Sequence, residues 1–322
     1  MFEHTLFREI RKDLKQVEKE LNKYVEAPNE MLAETSAHLL QAGGKRLRPA
    51  FALLAGKFHD YSLDELMPLA VALELIHMAS LVHDDVVDAS LTRRGRPTVR
   101  AQWGNRVSIH TGDYLFAKSL ILISHYQDPR VAQVLSRVSV QMCQGEIQQI
   151  ATAFQPHQDI RDYFYRIKRK TALLISASCQ LGGVVSGAPD HVIRALTLYG
   201  YYLGMAFQVT DDILDLVADE RVLGKPVGSD LRQGIITLPV IYAEKNSEHR
   251  DVLIKIISHQ DKGEGEVLEA IELVKESGGI DYAFSISRKY LEKAKGQLAL
   301  LPNVGTKKTL GKIADFINIR RY

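Results

Sequence analysis

Two short stretches place carboxylates at one spacing: Asp84-Asp85-Val86-Val87-Asp88 and Asp211-Asp212-Ile213-Leu214-Asp215. Each ends an apolar segment. Residues four apart share a helix face, so Asp84 points with Asp88 and Asp211 with Asp215. Asp85 and Asp212 stand about 100° round the helix and flank that face. Carboxylate oxygens are hard ligands, and two such clusters confronting each other across a cavity would hold divalent cations. Basic residues gather near these motifs: Lys45, Arg46 and Arg48; Arg93, Arg94 and Arg96; Lys168, Arg169 and Lys170; and Lys225. Arginine forks fit phosphate oxygens two at a time. A single basic cluster reads equally well as a solvated surface patch. Carboxylate pairs, basic loops and apolar helices together predict a ligand with a Mg²⁺-bound phosphate head and an apolar tail.

Helices must position these groups. The 322 residues are 46% hydrophobic and 25% charged with a net charge of +2, so there is no bulk signal for nucleic acid. Lys/Glu alternating with Leu, Ile and Val predicts an amphipathic helix from Phe2 to Val25. Helices follow over Glu30–Gln41, from Pro49, and after the capping box Ser62–Glu65, with Pro68 in the first turn of the helix that reaches Asp84. Thr92 to Thr98 reads as a basic loop. Helices are expected at 105–125, 130–153, 159–169, 171–186, 190–218, 237–246, 248–258, 264–277, 280–300 and 306–320, with a glycine-rich loop over Gly224–Gly234. No run alternates like a strand. The expectation is one all-α domain over 1–322, a multi-helix bundle around a central cavity. Cys143 and Cys179 are expected to be buried, reduced thiols. Thr171–Pro189 carries no charge, yet its Ser, Gly, Gln and Thr content favours a buried helix over a membrane span. No export signal is legible, and a cytoplasmic location is expected.

Gly43-Gly44-Lys45-Arg46-Leu47-Arg48-Pro49, Asp84–Asp88 with Arg93-Arg94-Gly95, Lys170-Thr171, and Phe207-Gln208-Val209-Thr210 leading into Asp211–Asp215 stand in this order along the chain. As a set they resemble the trans-isoprenyl diphosphate synthases, the polyprenyl synthetase family, over about residues 40 to 245. The resemblance implies that two or three Mg²⁺ ions bridge an allylic diphosphate to the aspartates. Asp84, Asp88 and Asp211 would be direct ligands, with Asp85, Asp212 and Asp215 in support or bound through water. Arg93, Lys170 and Lys225 would hold the same diphosphate, with Thr171 and Gln208 lining the reacting centre. Lys45, Arg48, His77 and Arg94 would hold isopentenyl diphosphate. Metal and cations would then stabilise the departing diphosphate, and the double bond of isopentenyl diphosphate would attack the allylic cation.

Several details qualify this. Glu74-Leu75-Ile76-His77 is an E-x-x-H, as in di-iron bundles, but no second copy exists to complete such a site. His83 reads as structural. In the family, bulky aromatics four and five residues before the first aspartate stop chain growth early. Here those positions are Ser80 and Ala79, which leaves about 24 Å of helix towards Pro68 for a tail at 1.5 Å per residue. A medium or long polyprenyl chain is expected, its floor set by Ile76, Leu120 or Ile121. Many family members carry lysine where this chain has Ile235. That loss, and the ending Arg320-Arg321-Tyr322, resemble the large catalytic component of two-component heptaprenyl diphosphate synthases. The implied partner is a small regulatory subunit in a heterodimer, the alternative being a homodimer. Membrane contact would be peripheral at most, for product release, and the pathway would be menaquinone side-chain synthesis. Two other classes compete. A catalytically weak regulatory subunit would be expected to have lost aspartates, and this chain keeps all six. A terpene cyclase would have no use for the Gly43–Pro49 loop.

Overall fold

The structure is a computed structural model that describes residues 6–218 and 227–319. Lys225 and Arg320-Arg321-Tyr322 lie outside the described residues. A 3₁₀ turn, Arg8–Ile10, leads into α1 (Arg11–Val25), and Asn29 caps α2 (Glu30–Gln41) by accepting from Leu32 N. Next come α3 (Leu47–Gly56), α4 (Leu63–Val87), α5 (Val99–Ile123), α6 (Pro129–Thr152), α7 (Ile160–Ile167), α8 (Leu173–Val185) and α9 (Asp190–Val217). The short α10 (Ser229–Arg232) is followed by α11 (Leu238–Asn246), α12 (Arg250–Ser258), α13 (Glu264–Glu276), α14 (Gly279–Leu298) and α15 (Gly305–Ile319). The fold is all-α.

Four local expectations need correction. The basic loop holds a two-residue hairpin, β1 (Thr92–Arg93) against β2 (Arg96–Pro97). Its turn residues Arg94 and Gly95 have φ of 53° and 75°, the signs a type I′ turn requires. Helix α5 starts at Val99 because Thr98 caps it, and it is interrupted at Gly104, where φ is 79°. Pro68 lies beyond the first turn of α4, where it removes one backbone donor. Cys143 is exposed, because it falls on the outward face of α6, while Cys179 is buried and burial raises its thiol pKa.

The described helices gather into two compact units. The first comprises Met1–Ser136, Leu174–Thr197 and Leu300–Lys312. Helix α4 runs through it, packed chiefly on α5 and α3. It is buried nearly all round from Leu66 to Ala79, the pattern of a core helix. Among the described residues it is the helix long and apolar enough to cross a membrane, but most of its apolar window is buried inside the fold. Helix α8, the uncharged segment, is buried as expected, and its Gly182 lets the backbone of Ala52 approach: a Cβ there would lie 2.2 Å from the Ala52 carbonyl oxygen. The second unit comprises Arg137–Leu173, Leu198–Ala299 and Ile313–Tyr322, with a core of Tyr163, Val209, Ile213, Leu238, Ile241 and Val267.

Candidate active site

The first unit holds the first aspartate motif and all four residues expected to hold isopentenyl diphosphate, Lys45, Arg48, His77 and Arg94. On the last turn of α4, Asp84 and Asp88 are partly exposed, whereas Asp85 is buried. The difference follows from the helix: Asp85 is turned away from the shared face and meets Arg93. Arg93 donates to it from Nε at 3.0 and 3.2 Å and from Nη2 at 2.7 Å. The Nε edge of the Arg93 fork is thus used within the protein, and the opposite edge is what an anion would meet.

Arg46, a member of the same basic cluster with no expected binding role, is set apart from Lys45 and Arg48. It is buried, with φ 47° at the cap of α3, and clamps Glu18 through Nε and Nη2 at 2.7 and 2.9 Å and Glu74 through Nη1 at 3.1 Å. Burial works against its charge, and the two carboxylates more than offset that, leaving its pKa raised. Glu74 is therefore an internal counter-ion and no part of a di-iron E-x-x-H pair. Lys45 is exposed, and Arg48 is half-buried.

Arg48 Nη1 donates to His77 Nε2 at 3.1 Å. Arginine can only donate, so His77 Nε2 accepts and its proton sits on Nδ1. The imidazole is held neutral: burial first, then the charges of Arg48, Arg94, Arg93 and Arg46, keep its pKa well below the ordinary value. The Arg94 guanidinium is lowered by desolvation and then by Arg46 and Arg93. Gly44 fits between the heads of Arg46 and Arg94, since a Cβ there would lie 2.8 Å from each Nη1. Several guanidinium groups around one neutral ring make a site that attracts an anion. Ser80 Oγ donates to the His77 carbonyl at 2.8 Å, and Ala79 and Ile76 are buried on α4. Leu120 and Ile121 are 51% and 55% exposed, so neither forms a buried floor; they fall on the outward side of α5, whereas Leu122 is buried. His83 bridges α4 to α5 through the Ile109 carbonyl at 3.2 Å.

The second unit holds the second motif. Between α7 and α8 the helix loosens into a π turn, Lys168–Ala172, a feature that re-aims side chains. It carries Lys170, which pairs with Glu146 at 3.0 Å, and Thr171. Gly204 on α9 allows the close approach: a Cβ there would lie 2.6 Å from Ala172 Cα. Thr171 Oγ1 then donates to Gln208 Oε1 at 2.6 Å, and Gln208 Nε2 donates to Asp212 Oδ1 at 2.7 Å. Tyr163 Oη donates to Asp212 Oδ2 at 2.6 Å. Burial pushes the Asp212 carboxyl up to about 6, against the pull of its two donors. Asp215 is also buried, and its Oδ2 accepts from Asp230 N at 3.0 Å. Of this motif only Asp211 is partly exposed.

The donors offered by both motifs are carboxylate oxygens, which suit a hard ion such as Mg²⁺. Among the described residues no group of three His, Cys, Asp or Glu side chains converges to hold a metal unaided. Mg²⁺ commonly keeps water and substrate phosphate oxygens in its shell, so the donor set fits an ion that arrives with a diphosphate. Three participants had no signal in the sequence: Tyr163, Glu146 and the Glu18–Glu74 pair. Each meets its partner through tertiary packing, across 24 to 49 positions.

Comparisons with known proteins bear on the family and the fold. The polyprenyl synthetase family model matches residues 29–274. Heptaprenyl diphosphate synthase component 2 of Bacillus subtilis (strain 168) is 46% identical over 310 residues, covering 96% of this chain and 88% of that protein. The crystal structure of heptaprenyl diphosphate synthase from Staphylococcus aureus superposes with a TM-score of 0.92 at 39% identity, covering 97% of this chain and 99% of that one. Polyprenyl synthase from Caulobacter crescentus CB15, complexed with calcium and isoprenyl diphosphate, gives 0.94 at 33% identity, covering 98% and 97%. The ordered motifs, the all-α fold and these matches place the chain in the polyprenyl synthetase family, a family of prenyltransferases.

Proposed function

We propose that this chain is a Mg²⁺-dependent trans-polyprenyl diphosphate synthase. It joins isopentenyl diphosphate to an allylic diphosphate, with farnesyl diphosphate as primer and a medium or long all-trans chain, heptaprenyl-like, as product. The observation that carries this reading is the neutral His77 set among Arg48, Arg93 and Arg94, an anion site about two to three helical turns from partly exposed Asp84 and Asp88. In this reading Lys45, Arg48, His77 and Arg94 hold isopentenyl diphosphate. Asp84, Asp88 and Asp211 are the metal ligands, and Arg93, Lys170 and Lys225 grip the allylic diphosphate. When bound, Mg²⁺ neutralises charge on the departing diphosphate. Thr171 and Gln208 offer oxygen dipoles beside the allylic carbon without acting as nucleophiles, because each is already tied into a hydrogen-bonded chain. Bound together, the two substrates react at high effective concentration and shielded from water.

The small Ala79 and Ser80 support a long product. The name of the Bacillus relative, component 2, supports a second subunit; our reading is a cytoplasmic heterodimer in which that subunit is the smaller one, serving menaquinone side-chain synthesis. The test is incubation with Mg²⁺, labelled isopentenyl diphosphate and farnesyl diphosphate, alone and with a lysate that supplies a second subunit, followed by product-length analysis. Elongation to about seven isoprene units is expected. Absence of elongation in both arms overturns the reading.

A further inference from the structure

Tyr163 is a fully buried tyrosine on α7, far in sequence from either aspartate motif. Its hydroxyl begins a chain of hydrogen bonds: Tyr163 Oη to Asp212 Oδ2, Gln208 Nε2 to Asp212 Oδ1, and Thr171 Oγ1 to Gln208 Oε1, at 2.6, 2.7 and 2.6 Å. The chemistry of the groups fixes every direction. An ionised carboxylate only accepts, so the Gln208 amide must turn its NH₂ towards Asp212. Its carbonyl is then left for Thr171, whose hydroxyl must donate to it. The lone pairs of Thr171 Oγ1 are thereby aimed away from Gln208. Burying this much polar surface is costly where an apolar contact would fill the same space.

We propose that Tyr163 is a positioning residue for prenyl transfer. By donating to Asp212 it locks the Gln208 amide in one orientation and so aims Thr171, and Asp212 serves this chain of bonds rather than ligating metal directly. The inference rests on the prenyl-transfer reading above. Both oxygens of Asp212 already accept from protein donors, and its side chain is 4% exposed. Asp211, next to it, is partly exposed. Without the phenol hydroxyl, Asp212 loses the donor that anchors its second oxygen and can swing, carrying the Gln208 amide with it, so Thr171 no longer holds one orientation. The residues that grip the two diphosphates stay in place.

The test compares wild type, Tyr163→Phe and Asp212→Asn. In Tyr163→Phe, kcat should fall about 10- to 100-fold while KM for both diphosphates stays within about threefold, the size of effect one aligned polar group contributes. In a Gln208→Ala background the same substitution should change kcat less than about threefold, because both act through one chain of contacts. Calorimetric binding of Mg²⁺ with inorganic pyrophosphate should be equal within about twofold in all three proteins. A wild-type kcat in Tyr163→Phe, an undiminished effect in the Gln208→Ala background, or weakened Mg²⁺-pyrophosphate binding in Asp212→Asn overturns the inference. If Tyr163→Phe does not fold, Asp212→Asn decides alone: lost kcat with unchanged pyrophosphate binding supports the inference, and any other pattern overturns it. Inactive wild-type protein would sink the prenyl-transfer reading itself, whereas active wild type with an indifferent Tyr163→Phe sinks only this one.

Discussion

Two arginines two positions apart do opposite work. Arg46 is a buried counter-ion, and its removal would leave Glu74, 3% exposed, as an uncompensated charge. Arg46→Met is expected to destabilise the fold by about 3–5 kcal/mol in denaturant unfolding. Arg48→Ala should leave the unfolding midpoint near wild type and raise KM for isopentenyl diphosphate about tenfold, as loss of one charge-assisted contact does. Reversed behaviour of the pair would overturn the assignment. His77 supplies a pH test. Its folded pKa lies below the ordinary 6.5, so the unfolded chain binds the proton more tightly. The stability linked to His77 is full above pH 6.5 and is lost as pH falls below it, by up to about 1.4 kcal/mol per unit. Asp212 acts in the opposite sense between about 6 and 3.8, because its folded pKa is raised. Comparing wild type with His77→Asn, which share Asp212, isolates the histidine. The stability advantage of wild type should shrink from pH 7.5 to 5.5, and a constant difference would count against a buried neutral imidazole.

At the scale of elements, the π turn and α9 form one device. Thr171 meets Gln208 because Gly204 lets α9 approach Ala172 backbone to Cβ distance. Gly204→Ala would push the two apart, at a cost of about 1–3 kcal/mol for overpacking. Turnover should fall at least about tenfold while binding of isopentenyl diphosphate is kept, since 1 Å of misplacement weakens catalysis steeply. A variant with wild-type kcat would show that the contact is not needed. Helix α4 works similarly at longer range. It is buried nearly all round, which fixes the height and rotation at which it presents Asp84 and Asp88. Its apolar character reads equally as membrane span or core from composition alone, and burial decides for core.

At the scale of the whole molecule, both units have apolar cores lined by aliphatic and aromatic side chains, and the fold is expected to stand without metal. Chelation with EDTA should therefore abolish turnover and leave the thermal unfolding midpoint, measured without diphosphate, within a few degrees. Added Mg²⁺ should restore activity. A chelated protein that unfolds would show that the ion is structural. One that keeps turning over would remove the metal from the reaction.

The sequence by itself determined the class of fold, nearly every helix and the identity of the chemical groups. Spacings of three and four residues are local properties that helix geometry enforces, and caps such as Asn29 and Ser62 mark their own helices. Turns that depend on one backbone angle, such as Arg94-Gly95, left no periodic trace. Tertiary structure decided which member of each set faces solvent and which faces the protein. Asp85 and Asp212 look identical to Asp84 and Asp211 in sequence, yet they are buried against Arg93 and Tyr163. Arg46 looks like Arg48 and is held by Glu18 and Glu74. The physical reason is the same in each case: which partner meets a charge depends on elements brought together from distant parts of the chain, and no local spacing encodes that.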